Sequence, residues 1–416
     1  MTHDFTLVFL AFFVLTLLTR LWLKWRHIGF VTAHRDAVPT DFAERIALPE
    51  HQKAADYTVD RSKTAIFSTL VEAVLLLAFT LGGGLAVLHD FWSLRLDGLA
   101  YGLAMIFSVM IISGVIDLPL SLYSQFVIEA RHGFNRMTLG LFFGDLQKQT
   151  LLGIAIGTPV IAAVLWLMGA MGHYWWLYVW LFWSAFNLLI LFIYPTWIAP
   201  LFNKFSPLED GEMKARIEAL LARCGFRSSG LFVMDGSKRS SHGNAYFTGF
   251  GNNKRIVFFD TLLSRLDPSE VEAVLAHELG HFRKKHVVKR MVLMFAGSLG
   301  FLWLLGQLID APWFYAGLGV PAQSTVLALI LFFLVMPVFT FLLSPLMSHF
   351  SRQHEFEADA YAAEHAAADD LIRALVKLYQ DNASTLTPDP LHSLFHDSHP
   401  PAAQRIAHLQ LQDKPA

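Results

Sequence analysis

The sequence predicts an all-α polytopic membrane protein that carries a small α+β domain on one side of the bilayer. Three observations predict it. Hydrophobic residues make up 54% of the chain and charged residues only 16%, where an ordinary soluble domain carries about 25% charged; the mean hydropathy is +0.45. The apolarity is gathered into blocks near the length that a helix needs to cross the hydrocarbon core. Lys and Arg, finally, are confined to alternate loops.

Seven blocks are read: Phe5–Leu23, Ala65–Leu88, Leu99–Tyr123, Leu151–Met171, Trp175–Ile198, Met291–Ile309 and Val326–Met347. Any one could be a buried core helix, but seven together could not. Pro119 and Pro337 fall inside the third and seventh, where neighbouring groups can re-satisfy the backbone. No Lys or Arg precedes the first block, and the loop after it runs from Lys24 to Lys63 with several of each. The next loop has only Arg95, and the third has Arg131, Arg136 and Lys148. The fourth, around His173, and the sixth, 310–325, have none. The positive-inside rule therefore places the amino terminus outside and the carboxyl tail in the cytoplasm. The first block has no basic segment before it, so it reads as a retained span and not as a cleaved signal.

Other bounds are looser. A net charge of −2 offers no basic field for nucleic acid. The single cysteine, Cys224, excludes an internal disulfide and disfavours a thiolate metal site. Residues 1–198 hold five spans with their loops, and 291–347 hold the last two. That leaves two cytoplasmic segments, 199–290 and 348–416, which can combine into one small domain. The first opens with a helix over Gly211–Cys224. Leu231–Met234, Ala245–Thr248 and Arg255–Phe259 follow, β-branched and aromatic between the turn clusters Ser237–Gly243 and Gly249–Asn253. They read as a small antiparallel sheet. Asp267-Pro268-Ser269-Glu270 then starts a helix with a capping box.

That helix carries His277-Glu278-Leu279-Gly280-His281. Residues four apart share a helix face, so the two imidazoles can grip one zinc ion. Glu278, at the edge of that face, can take the proton of a water that the metal activates. Zinc needs a third protein ligand. Glu355 and Asp359, four apart on a helix that begins near Met347, suit a ligand and a carboxylate supporting an imidazole. Glu357 lies about 200° round that helix from Glu355 and cannot share the role. His286 is about 140° off the ligand face, His354 points away from Glu355, and His365, His392 and His408 read as surface residues.

Longer stretches narrow the class. Leu118–Asn135 reads LPLSLYSQFVIEARHGFN, Ile193–Glu212 contains IAPLFNKFSPLEDGE, and Gly236–Leu263 reads GSKRSSHGNAYFTGFGNNKRIVFFDTLL. With the HExxH helix these resemble the integral-membrane type I CAAX prenyl proteases, from about the second span to Arg405. The resemblance implies seven helices enclosing a water-filled chamber with an inward-facing zinc site. It implies His277, His281 and Glu355 as zinc ligands, Glu278 as the catalytic glutamate and Asp359 as the carboxylate behind a ligand. It also implies Asn244 and Ala245 as an edge that pairs with substrate backbone, and His399 and Arg405 as donors to the oxyanion. Glu72, Asp117, Gln125 and Asn187, within or beside spans, would wet the chamber wall.

The function expected is a membrane-embedded zinc endopeptidase acting on peptides or proteins, lipidated or membrane-inserted ones among them. The alternatives are a quality-control or translocon-clearing protease without prenyl substrates, and a zinc-stabilised scaffold, against which Glu278 argues. A transporter would need paired broken spans and internal symmetry, and none is read. Compact loops lean towards a bacterial inner membrane.

Overall fold

The computed structural model describes residues 1–248 and 255–412; the expected turn at 249–253 lies outside them. Seven helices are long and apolar enough to cross a membrane: Thr2–Ala33, Leu48–Phe79, Gly98–Arg131, Leu139–Ala170, Gly172–Leu201, His286–Leu308 and Thr325–His365. Most outrun the apolar blocks. The first continues through Lys24 and Arg26 to Ala33, and the seventh runs past Met347 to His365. Hydropathy marks the stretch that lipid touches, whereas the helix continues wherever its backbone bonds are met.

Six of the seven helices are only sparsely buried, and the seventh is the one the others pack around. In the most apolar window of the seventh span 44% of residues are buried, against 6% to 22% in the other six. Gly114, Gly153, Gly157 and Gly297 have open space where a side chain would begin. The polar groups within or beside the spans have hydrogen-bond partners, as intramembrane polar groups need. Arg20 Nη2 donates to Glu72 Oε2 at 2.9 Å, with Ser68 on the other Glu72 oxygen. Asp117 accepts from Ser121, Gln125 donates to Asn135, and Asn187 donates to the Trp183 carbonyl. The third and fifth spans end in widened turns, Ser124–Ile128 and Tyr194–Ile198, downstream of Pro119 and around Pro195. Such turns absorb lost backbone bonds and re-aim the chain beyond them.

The extramembrane segments combine as expected. Their shared core takes Ile217 and Leu220 from helix Glu212–Arg223, Phe258 from the sheet, Leu275 from the HExxH helix, Leu371 from helix Ala368–Asp381 and Ile406 from helix Ala402–Gln412. The loop after the first span adds Phe42 and Ile46. The sheet differs from expectation. It has four strands, β1 Phe205–Pro207, β2 Gly230–Met234, β3 Ala245–Thr248 and β4 Arg255–Phe259, in the order β1-β2-β4-β3. β2 and β4 are parallel, and the other pairs are antiparallel. The chain passes from β2 to the far side of β4 to form β3, so β3 is left at the edge. Arg239 locks this region to the membrane part. Its guanidinium grips the buried Asp145 of the fourth span at 2.8 and 3.1 Å and also reaches Asn203 and the Phe202 carbonyl.

The HExxH helix spans Pro268–Arg283 with Asp267 at its cap, and Glu270 accepts the Asp267 backbone N–H at 2.8 Å. Lys377 bridges Asp267 and Glu270 at 2.9 and 2.7 Å. The hydrogen bond from Lys377 holds the Asp267 carboxyl below its ordinary range. A carboxyl depressed in the folded state stabilises above its unfolded pKa of about 4 and loses that contribution as pH falls. Urea melts of the protein in detergent should therefore weaken from pH 5 to pH 2. Asp267→Asn should flatten part of that slope, while Asp267→Ala should lower stability at every pH. An Asp267→Asn slope equal to wild type would remove this ion pair from the acid limb.

Candidate metal centre and active site

His277 and His281 project from one face of helix Pro268–Arg283, their Nε2 atoms 3.2 Å apart. Glu355 meets them from helix Ser344–His365, its carboxylate 3.5 Å from His277 Nε2 and 3.3 Å from His281 Nε2. One ligand atom from each of the three lies within 4.8 Å of the others. The sequence offered this set as candidate ligands, and the fold brings all three together.

The helices meet so closely because of Gly280. A Cβ there would lie 2.9 Å from the Ala358 Cα and 3.0 Å from its carbonyl oxygen. No other residue lets the two backbones touch at this point. The contact sits three residues past His277 on one helix and three past Glu355 on the other. Gly280, within the motif but not one of its fixed positions, is a residue that sequence reasoning missed.

Behind the imidazoles the charges are paired. Asp359 is fully buried, and its Oδ1 accepts from His277 Nδ1 at 2.8 Å. Arg405, also buried, donates to the same carboxylate from Nε at 2.8 Å and Nη2 at 2.6 Å. Burial alone would lower the His277 pKa, but the bonds to Asp359 and Glu355 outweigh it and push it up to about 9. Asp359 holds Arg405 firmly charged against its burial. Two of the three guanidinium nitrogens of Arg405, expected as an oxyanion donor, are thus engaged with Asp359. Only Nη1 faces the ligands, 3.7 Å from Glu355 Oε2.

The residues fit a divalent cation. Glu355 Oε2 is buried without a well-directed hydrogen bond, although nitrogens of His399, His277 and Arg405 lie 2.7, 3.5 and 3.7 Å away. An unsatisfied buried carboxylate oxygen is costly, and a cation among the three ligands removes that cost. Two imidazoles and a carboxylate are a zinc donor set.

The other expected residues border the same cavity of about 260 Å³: Glu278, His399, Arg405, Asn244 and Ala245. Glu278 is half-buried and has no hydrogen bond or ion pair among the described residues. His399 is largely exposed, with Nδ1 2.7 Å from Glu355. Asn244 turns its oxygen onto the Ala245 N–H at 2.8 Å, while its carbonyl accepts from Phe259. The rest of the lining is largely apolar, made by Leu262, Val274, Leu371, Leu375 and Leu378.

The approach to Asn244 is held by groups that the sequence did not single out. Asn382 Oδ1 accepts the Gly243 N–H at 3.2 Å and lies 3.1 Å from His242 Nδ1. The Phe134 ring stacks on His242 at 4.4 Å, Asn135 bridges Ser240, and Glu129 stands 3.5 Å from His242 with Tyr57 on its other oxygen. The end of the Leu118–Asn135 stretch, Glu129, Phe134 and Asn135, thus frames the segment before β3. His392, expected at the surface, is stacked between His27 and His396. Glu357 does not join the ligands, as its helical phase requires. It accepts instead from His286, whose other ring nitrogen reaches His281.

Seven membrane-capable helices with this centre at one end define a metallopeptidase embedded in the membrane. Comparison with known proteins agrees. The description "CAAX prenyl protease N-terminal, five membrane helices" matches residues 27–204, and "Peptidase family M48" matches 207–412. The chain is 37% identical to a CAAX prenyl protease 1 homolog of Arabidopsis thaliana over 391 residues, 91% of each protein. It is 40% identical to CAAX prenyl protease 1 of Saccharomyces cerevisiae over 317 residues, covering 72% of this chain and 69% of the yeast protein. The crystal structure of S. mikatae Ste24p superposes with a TM-score of 0.91 at 33% identity, over 97% of this chain and 99% of that one. The chain belongs to the CAAX prenyl protease 1 family of M48 peptidases and is an integral-membrane metalloendopeptidase.

Gly280→Ala tests the helix contact. The added methyl has to force the two helices apart, at about 1–3 kcal/mol of overpacking. Metal retention after dialysis should drop together with the melting temperature. Full metal content in the variant would show that the ligands tolerate a wider spacing.

Proposed function

We propose that this chain is a zinc-dependent endopeptidase that hydrolyses peptide bonds with Glu278 as general base. The observation that carries the reading is the cluster of His277, His281 and Glu355 together with a cavity that His277, Glu355 and Glu278 line and that Ala245 of the edge strand β3 borders, Glu278 having no partner among the described residues. Zinc bound to the three ligands would polarise the scissile carbonyl and bring the pKa of water towards neutrality. Glu278 takes the proton of the attacking water and passes it to the leaving amine. Asp359 fixes the His277 ring so that Nε2 faces the ligand cluster, and Arg405 holds Asp359. His399, from the exposed side, and Arg405 Nη1 meet the charge that develops on the carbonyl oxygen.

The substrate lies along Asn244 and Ala245 by strand addition, which binds any peptide backbone. Leu262, Val274, Leu371, Leu375 and Leu378 favour an aliphatic side chain beside the cut bond. The relatives' name adds prenylated CAAX proteins to the candidate substrates. The proposed orientation places the amino terminus outside and the site on the cytoplasmic side. Compact loops keep a bacterial inner membrane as the proposed location, although the relatives named above are eukaryotic.

Glu278→Gln should abolish cleavage of a fluorogenic peptide and keep about one zinc per chain, whereas Glu355→Ala should lose both. His399 variants should turn over about 10²–10³-fold more slowly with their zinc intact. Because Arg405 supports Asp359, its variants should lose metal as well as rate. Wild-type cleavage by Glu278→Gln would remove the general base, and zinc loss on changing His399 would make that residue a ligand.

Reporter fusions check the orientation. Those after His173 should report the outside and those near Lys53 the cytoplasm. Both on one side would break the scheme.

A further inference from the structure

His281 has support of its own, and it comes from the beginning of the sixth span. The HExxH helix ends at Arg283, and the next helix starts at His286. Between them Lys285 adopts the left-handed conformation, φ 58°, one of two non-glycine residues with positive φ among the described residues. An L-residue adopts this conformation at a cost, and such strain persists only where the surroundings hold it. Its effect is to turn the chain so that His286 folds back under His281. On a continuous helix the residue five beyond His281 would point elsewhere.

The contacts form a line. His281 Nδ1 is 2.9 Å from His286 Nδ1, and His286 Nε2 is 2.9 Å from Glu357 Oε2. His286 is 2% exposed, and its ring is stacked on His354 at 4.0 Å. Only one assignment of protons satisfies the line. His281 turns Nε2 towards His277 and Glu355, so its proton sits on Nδ1 and is donated to His286 Nδ1. His286 must then carry its own proton on Nε2, where Glu357 accepts it. The carboxylate at the end fixes the tautomers of both rings.

We propose that His286 and Glu357 are positioning residues for the metal centre. They hold the His281 ring in its ligand orientation, as Asp359 and Arg405 hold His277. The inference rests on the zinc reading above. It gives each imidazole an outer carboxylate, direct for His277 and relayed through a second imidazole for His281. It also ties the metal centre to the start of a membrane span.

The test is zinc affinity of the full chain in detergent, measured by competition with a chelator, with melting temperature recorded in parallel. His286→Ala should weaken zinc by about 10–100-fold, the usual effect of removing such a partner. Glu357→Ala, at a half-exposed position that folding tolerates, should weaken it in the same direction. Glu357→Gln keeps an acceptor oxygen for His286 Nε2 and should restore affinity close to wild type. The visible spectrum of the cobalt-loaded protein should shift in His286→Ala and Glu357→Ala and not in Glu357→Gln. Unchanged affinity and spectrum in both alanine variants overturn the proposal, as does a fall in melting temperature alone. If wild type binds zinc and only Glu355→Ala loses it, this inference fails and the zinc reading stands. A wild-type protein that takes up no zinc would overturn both.

Discussion

The centre depends on one contact, that between helix Pro268–Arg283 and helix Ser344–His365. Two of the proposed ligands stand on the first and the third on the second, so the distance between the helices sets the size of the site. Gly280 against Ala358 brings them to backbone contact beside His281 and about one turn from His277 and Glu355. The second helix is no isolated element. It continues the seventh span, which is by far the most buried of the seven. The position of Glu355 is therefore set by the packing of the membrane part, and that of His277 and His281 by the core of the extramembrane domain. Neither part can build the centre alone.

Charge balance explains why so many ionisable groups tolerate burial here. Removing a single charge from water is expensive, and only full pairing offsets it. Glu355, Asp359 and Arg405 are all buried, and two carboxylates against one guanidinium leave one negative charge over. The cluster answers by drawing a proton onto His277, whose pKa rises to about 9. A divalent cation held by His277, His281 and Glu355 would offset that charge without the proton and would leave the cluster net positive, the sign that favours an oxygen gaining negative charge.

Much of this architecture is legible in the sequence, and the limits have physical reasons. Seven spans are readable because lipid demands apolar length. Their true ends are not, since helices such as Thr2–Ala33 continue into water where hydropathy falls silent. The HExxH ligands and the Glu355–Asp359 pair are readable because helical period places them. His399 and Arg405 are reachable only through resemblance, because a residue that folds back from a distant helix leaves no periodic trace. His286 falls off the ligand face only if one continuous helix is assumed, and a single left-handed residue, Lys285, breaks that assumption. The parallel pairing of β2 with β4 is hidden for a similar reason. Proximity in sequence suggests hairpins, and the crossing that puts β3 at the edge appears only once β1, three residues long, closes the other side.

The exposed position of β3 is where the membrane part and the chemistry join. An unpaired strand edge is a liability in most proteins, because it recruits other chains. Here the segment before it is fastened from three directions: by Glu129 and Phe134 from the third span and the segment after it, by Asn382 from helix Ala368–Asp381 and the turn beyond it, and by Arg239 gripping Asp145 of the fourth span. Fastening removes the freedom to shift register while leaving the outer edge at Ala245 beside the cavity, its N–H held by the Asn244 side chain. On the proposed reading, a rigid edge costs little ordering when a substrate strand is added, and it presents each successive peptide bond to Glu278 in the same register. Selection among peptides then falls to the apolar lining of the cavity, Leu262, Val274, Leu371, Leu375 and Leu378.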